Sequence, residues 1–292
     1  MNDWTIGIVS IVAALGVASG IAWFGSMNGA MYAGWPVFVL CGVFAYAVQW
    51  LVFLHAWTAK TEVYFDLTGS ATYIVMVVAA VLLSGASDFR SLAIVTLIVI
   101  WALRLGPFLF RRIKGAGEDR RFRKLKHSFP MFLMTWTLQG TWVFVTASCA
   151  LAAITAQSSV PVDATFGIGL MLWVFGFGLE VVADNQKTAF RANSENAHNF
   201  ISTGLWAWSR HPNYFGEIVL WLGIAVMSFP ALVGGQLFTL ISPVFVVILL
   251  TFISGVRMLE ARADRLWGED PDYQLYRRNT PALMLWPPKK AG

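Results

Sequence analysis

Long apolar runs separated by short charged islands set the organisation of this chain. The runs fall at about residues 5–25, 35–57, 70–86, 91–113, 130–156, 164–183, 214–230 and 236–258. A helix needs about 17–25 apolar residues to cross a bilayer, and most of these runs reach that length. The pattern predicts an all-α fold, a polytopic membrane helical bundle of seven to eight transmembrane helices. The third run is short and the seventh is interrupted near Pro230, which leaves seven as the other count.

Lysine and arginine positions select eight. The connection over 111–127 carries Arg111, Arg112, Lys114, Arg120, Arg121, Arg123, Lys124 and Lys126. The connection over 184–213 carries Lys187, Arg191 and Arg210, and seven more basic residues follow Ser254. The connections at 26–34, 157–163 and 231–235 carry none. Basic residues concentrate on the cytoplasmic side of membrane proteins. Eight spans put all the connections rich in basic residues on that side, with both termini cytoplasmic. The sizeable polar segments then face the cytoplasm, where a water-soluble ligand would meet the protein.

Composition narrows the classes further. The 292 residues are 57% hydrophobic and 13% charged, against roughly 25% charged in soluble domains. The net charge of +5 sits beside membrane runs and accompanies no recognition motif, so nucleic acid is excluded as a partner. Membrane lipids are expected around the basic segments. Asn2 and Asp3 precede the first run where a cleaved signal would be basic, so that run is expected to be a retained span. Cys41 and Cys149 lie inside apolar runs without disulfide or zinc spacing, and no metal site is expected.

Several polar constellations stand out against this background. In Lys60-Thr-Glu-Val-Tyr-Phe-Asp-Leu-Thr-Gly69, Glu62 and Tyr64 alternate, with Tyr73 further along. A tyrosine beside a carboxylate is a plausible proton donor, and the same segment also reads as an interfacial loop capping the next helix. Arg104 lies inside the fourth run, where a charge by default faces a partner or a polar cavity. Arg121 belongs to a glycine-led stretch of paired acids and bases, Gly115-Ala-Gly-Glu-Asp-Arg-Arg-Phe122. That stretch suits either a phosphate or a solvated turn. Glu180, Asp184, Lys187 and Arg191 recur at helical spacing on one face. The face suits ribose hydroxyls and phosphate, or ion pairing within one helix.

The densest cluster is Trp206-Ala-Trp-Ser-Arg-His-Pro-Asn-Tyr-Phe-Gly-Glu217. Pro212 is placed to open a helix, so the positive end of that helix would lie beside Arg210 and His211 as an anion site. Asn213, Tyr214 and Glu217 project from its first turns. Arg257, Glu260, Tyr276 and Arg278 follow the last run, as membrane anchors or as a second wall of the same pocket.

From Thr203 to Glu217 the chain resembles the membrane-embedded steroid 5-alpha-reductase-like family. The resemblance is to its uncharacterised bacterial branch with a steroid-dehydrogenase-type C-terminal domain, related to the sterol C14/C24 reductases. It runs from about Glu62 to Pro281. It implies one integral-membrane domain over 1–292, with N-terminal helices to residue 60 and the catalytic core over 61–292. It further implies a bacterial inner-membrane location, NADPH bound from the cytoplasmic side, and hydride transfer to the activated carbon–carbon double bond of a lipophilic, steroid-like substrate from the bilayer. By position, Asp184, Arg191, Asn213 and Glu217 match polar residues of the reductase cofactor site, and Arg104 and Arg257 match its intramembrane arginines. Trp101 stands where those reductases carry a tyrosine, so Glu62, Tyr64 and Tyr73 are taken as the catalytic acid group. The full cofactor set read here is Arg104, Arg121, Asp184, Lys187, Arg191, Trp206, Arg210, His211, Asn213, Tyr214, Glu217, Arg257, Glu260, Tyr276 and Arg278. The Arg-His-Pro-x-Tyr core is shared with isoprenylcysteine and phospholipid methyltransferases, so a methyltransferase using S-adenosylmethionine is the competing reading.

Overall fold

Caps and turns define where the apolar runs become helices. In the computed structural model, which describes residues 2–288, Asn2 accepts from Thr5 N at 2.8 Å and starts α1 (Asp3–Gly25). Two residues of positive φ, Ala33 and Gly34, close a two-residue hairpin pairing Met31–Tyr32 (β1) with Trp35–Pro36 (β2). Paired positive φ values give the turn whose twist matches such a ribbon. Helices α2 (Val37–Ala59), α3 (Phe65–Ser84), α4 (Phe89–Ala116) and α5 (Phe129–Ile154) follow. Then come α6 (Ala164–Ala192), α7 (Pro212–Ser228), α8 (Ile241–Ile248), α9 (Val256–Trp267) and α10 (Pro271–Asn279). Lys289 and Lys290, counted in the basic tail, lie outside the described residues.

Among the described residues, eight helical segments are long and apolar enough to cross a membrane, as the hydropathy pattern predicts, and the last of them is Gly234–Trp267. Three boundaries differ from the sequence expectation. Helix α3 begins at Phe65 rather than 70, because Thr68 bonds back to the Tyr64 carbonyl through both its amide and its hydroxyl. Helix α6 runs nine residues past 183; its polar end is helical without being apolar. The last segment changes type, from a 3₁₀ turn through α8 and a π-helical turn (Leu249–Ile253) into α9.

The chain divides into two compact units. The first contains residues up to Phe166 together with Ala225–Ser242. At its centre α5 is buried on nearly all sides and packs against α1, α2, α3 and α4. Polar groups join these helices: Gln49 donates to Thr72 at 2.9 Å, Tyr46 and Thr141 share a bond of 2.8 Å, and Gln139 donates to the Phe65 carbonyl at 2.6 Å. Such bonds hold helices together where lipid offers no hydrophobic drive. Cys41 and Cys149 are free and buried in this unit.

Arg90, only 2% exposed, closes the first unit at the start of α4. It donates to the Pro161 and Met227 carbonyls at 2.7 Å each and to Asp163 at 2.8 Å. Thr165, beside it, also donates to Asp163. These two donors and the Phe166 amide hold the Asp163 carboxyl below its usual range.

The second unit contains Gly167–Ile224 and the residues from Pro243 onward. Here α6 and α7 meet through glycine. A Cβ on Gly216 would lie 2.6 Å from the Gly176 carbonyl oxygen and 2.7 Å from the Glu180 nitrogen. One on Gly223 would lie 2.5 Å from the Gly169 carbonyl oxygen. Only glycine permits backbones to approach this closely.

Candidate functional site

The polar cluster of the second unit is built on the glycine contact of α6 and α7. One turn from Gly216, Asn213 donates to the Asp184 carboxylate across the helix pair at 3.1 Å. Asp184 is buried on the polar end of α6. Trp206 is also buried; its indole donates to the Ala183 carbonyl at 3.0 Å, and the Lys187 ammonium lies 4.3 Å from its ring centroid. The turn before Trp206 requires φ +61° at Gly204, and there the Leu205 amide donates to Gln186 at 3.0 Å.

Glu260 of α9 is the keystone of the next layer. One of its oxygens accepts from Arg210 at 3.0 Å and the other lies 2.8 Å from His211 Nε2. Arg277 reaches the same carboxylate at 3.8 Å and binds Asp264 at 2.9 Å. Arg210 also donates to the Arg277 carbonyl at 2.7 Å. Tyr214 stacks on the His211 ring, with centroids 5.7 Å apart. Burial pushes His211 below its ordinary pKa against the pull of Glu260, so the imidazole is neutral at pH 7. Its Nδ1 and Arg210 Nε are buried without hydrogen-bond partners. Buried polar atoms normally have partners, so two orphans in one cluster mark a place that suits a polar ligand.

The C-terminal tail straps this cluster down. Arg210 N donates to the Pro281 carbonyl at 2.9 Å, Ser209 Oγ to Leu283 at 2.9 Å, and Trp286 N to Trp208 at 3.0 Å. Tyr276 donates its hydroxyl to the Trp206 carbonyl at 2.7 Å, and burial raises its phenol pKa. Arg191 and Arg257 are exposed, Glu217 is half-buried, and Arg278 bonds Gln274 of its own helix at 3.2 Å.

The remaining candidates belong to the first unit. Glu62, 4% exposed, accepts from Lys126 at 3.0 Å and from the Asp119 amide at 2.9 Å. It thereby pins the basic connection. Arg121 binds Asp119 through two nitrogens and lies 3.9 Å from Asp66. Burial would raise the Asp119 carboxyl, but the Arg121 bond and charge hold it below its usual range. Tyr64 stacks on Phe110, and Tyr73 is buried edge-on against Trp101. Arg104 lies 4.9 Å from the Phe108 ring on its own helix. Glu62→Ala is expected to raise the rate of trypsin cleavage at Arg120, Arg121 and Arg123 roughly tenfold by freeing this connection. An unchanged rate would mean that other contacts hold it.

Sequence reasoning did not find Gly176, Gly216 and Gly223 as helix contacts, nor Ser209, Gln186 and Asp264 as part of the frame of the cluster. A signal for the glycines was present. Gly169 and Gly176 on α6, like Gly216 and Gly223 on α7, are seven residues apart and share a helix face.

These features define an integral membrane protein with a buried polar cluster at the head of a membrane-crossing helix. The chain belongs to the family described as protein of unknown function DUF1295, a steroid 5-alpha-reductase-like family, which it matches over residues 50–280. It is 31% identical over 102 residues to the steroid 5-alpha-reductase DET2 of Gossypium hirsutum, covering 35% of this chain and 34% of that protein. It is 26% identical over 151 residues to the uncharacterized protein C594.04c of Schizosaccharomyces pombe, covering 42% and 44%. Each match spans less than half the length of the relative. No solved structure matches the chain.

Proposed function

We propose that this protein is a membrane reductase that uses NADPH to reduce an activated carbon–carbon double bond in a lipophilic substrate. The observation that carries the reading is the cluster around His211, where Arg210, Glu260, Asn213 and Asp184 converge on the first turn of α7 with two buried nitrogens unpartnered. The local similarity to a steroid 5-alpha-reductase supports the same class. Arg210 and the positive start of α7 suit the phosphates. The Asp184–Asn213 pair suits ribose hydroxyls, accepting through the carboxylate and donating through the amide. When bound, NADPH supplies hydride to the electron-poor carbon of an enone. The chain's part is to hold that dinucleotide, exclude water and place an acid on the substrate carbonyl, where the enolate charge develops. Glu62 serves by holding the connection that carries Arg121 and Lys126. The concentration of basic residues on alternate connections supports a cofactor side that faces the cytoplasm.

Titration calorimetry on detergent-purified protein tests this reading. NADPH is expected to bind, and Arg210→Ala is expected to weaken it about 100-fold, as loss of a charge-assisted phosphate contact of roughly 2.7 kcal/mol implies. Binding of S-adenosylmethionine without NADPH would replace the reductase with the methyltransferase.

A further inference from the structure

Beside the cluster, the second unit carries a cleft of about 360 Å³ whose lining joins cations to apolar surface. Its walls are Phe252 and Ile253 from the π-helical turn and Arg257, Met258, Ala261 and Arg265 from α9. That volume falls in the range of small-molecule sites. π-Helical turns recur at functional sites, and this one has a visible consequence. Ser254 N bonds the Leu249 carbonyl five residues back at 3.0 Å, and the chain then restarts as α9 in a new direction at Gly255. A Cβ at Gly255 would overlap the Leu250 carbonyl oxygen and touch the Tyr214 ring. The backbone at Gly255, between the lining residues Ile253 and Arg257, therefore lies against Tyr214, which stacks on His211.

The charges of α9 are sorted by face. Its acids, Glu260 and Asp264, are engaged with Arg210, His211 and Arg277. Arg257, Ala261 and Arg265 recur every four residues, so they form one stripe. Arg265 Nε donates to the Ala261 carbonyl at 3.1 Å, which folds its arm back along α9 toward the preceding turn. The backbone positions of Arg257 and Arg265 lie about 12 Å apart along the helix, close enough for both long arms to reach one anion lying over Ala261. Four of the six lining side chains are apolar, Phe252 and Ile253 are largely exposed, and α9 continues a membrane-crossing segment. A free anion would leave that apolar wall uncovered, whereas an anion on an alkyl chain covers both parts.

We propose that this cleft binds a single-chain anionic lipid, with its head between Arg257 and Arg265 and its chain along Phe252, Ile253 and Met258. Resting on the reductase reading, this makes the substrate an amphiphile with an anionic end rather than a neutral sterol. The test is equilibrium binding of oleate, methyl oleate and inorganic phosphate to detergent-purified protein, with NADPH binding measured in parallel. Oleate is expected to bind at least tenfold more tightly than methyl oleate or phosphate. Arg265→Glu should remove that preference while leaving NADPH affinity and the thermal midpoint unchanged. Arg265→Gln, which keeps the polar arm, should show a smaller loss in the same direction and guards against misfolding of the charge reversal. Equal binding of oleate and its ester, or oleate binding indifferent to Arg265, overturns the proposal. Loss of NADPH binding in Arg265→Glu with oleate unaffected assigns the cleft to the nucleotide and overturns it too. Failure of the wild-type protein to bind NADPH would remove the reductase reading while leaving the lipid comparison readable.

Discussion

Arg90→Met is expected to lower the thermal midpoint of the detergent-solubilised protein by roughly 5–10 °C, the equivalent of about 3 kcal/mol. The methionine fills much of the volume but donates nothing. The Met227 carbonyl, held at 2.7 Å, then loses its guanidinium donor in a buried place, the part-buried Pro161 carbonyl loses a bond of the same length, and Asp163 loses its cation. A buried acceptor without a partner is worse than one that was never polar. Arg90→Lys keeps the charge but cannot reach both carbonyls and Asp163 from one nitrogen, so it should fall between. Asp163→Asn should cost less than either, because Asp163 is partly exposed and its other partners remain. The midpoint can be followed by tryptophan fluorescence. A midpoint for Arg90→Met within 1–2 °C of wild type, which corresponds to less than about 1 kcal/mol, would mean that the clamp closes a loop without holding the unit.

Hydropathy made the eight spans legible because apolar length is what a bilayer demands of a helix. It misplaced the start of α3 and the end of α6 for a related reason. Asp66, Thr68 and Gly69 at one end, and Asp184 to Ala192 at the other, are helical through backbone and hydroxyl bonds that carry no hydropathy signal. The candidate site was legible where residues share a helix face. The four-residue spacing of Glu180 and Asp184 placed Asp184 where it meets Asn213. Long-range pairings were not. That Glu260 would join both Arg210 and His211, about fifty residues away, depends on where α9 restarts after the π turn. Lys187 lies over the face of Trp206, a contact across nineteen residues that its own helix does not announce. Glu62 looked like a partner for Tyr64 because the two alternate along the chain, and Lys126, sixty-four residues on, is the group that meets it. In each case, neighbours in sequence competed with tertiary partners that no local pattern encodes.

Gly216→Leu should abolish NADPH binding and lower stability by about 3 kcal/mol or more. Even the first carbon of the new side chain meets the Gly176 carbonyl oxygen and the Glu180 amide well inside contact distance, and both are backbone atoms that cannot turn aside. The helices must therefore separate, and the 3.1 Å bond between Asn213 and Asp184, one turn away, separates with them. Gly223→Ala offers the informative contrast. It meets the Gly169 carbonyl oxygen at 2.5 Å but lies two turns further from Asn213, so it should lower the thermal midpoint while changing NADPH affinity by less than about threefold. Gly178→Ala, with nothing within 4 Å, should be neutral or slightly stabilising through helix propensity. If Gly216→Leu loses stability yet binds NADPH as tightly as wild type, the Asp184–Asn213 pair does not hold the nucleotide. The glycine contact would then serve packing alone, and the cofactor role would rest on Arg210 and His211, whose frame is Glu260 and the C-terminal tail.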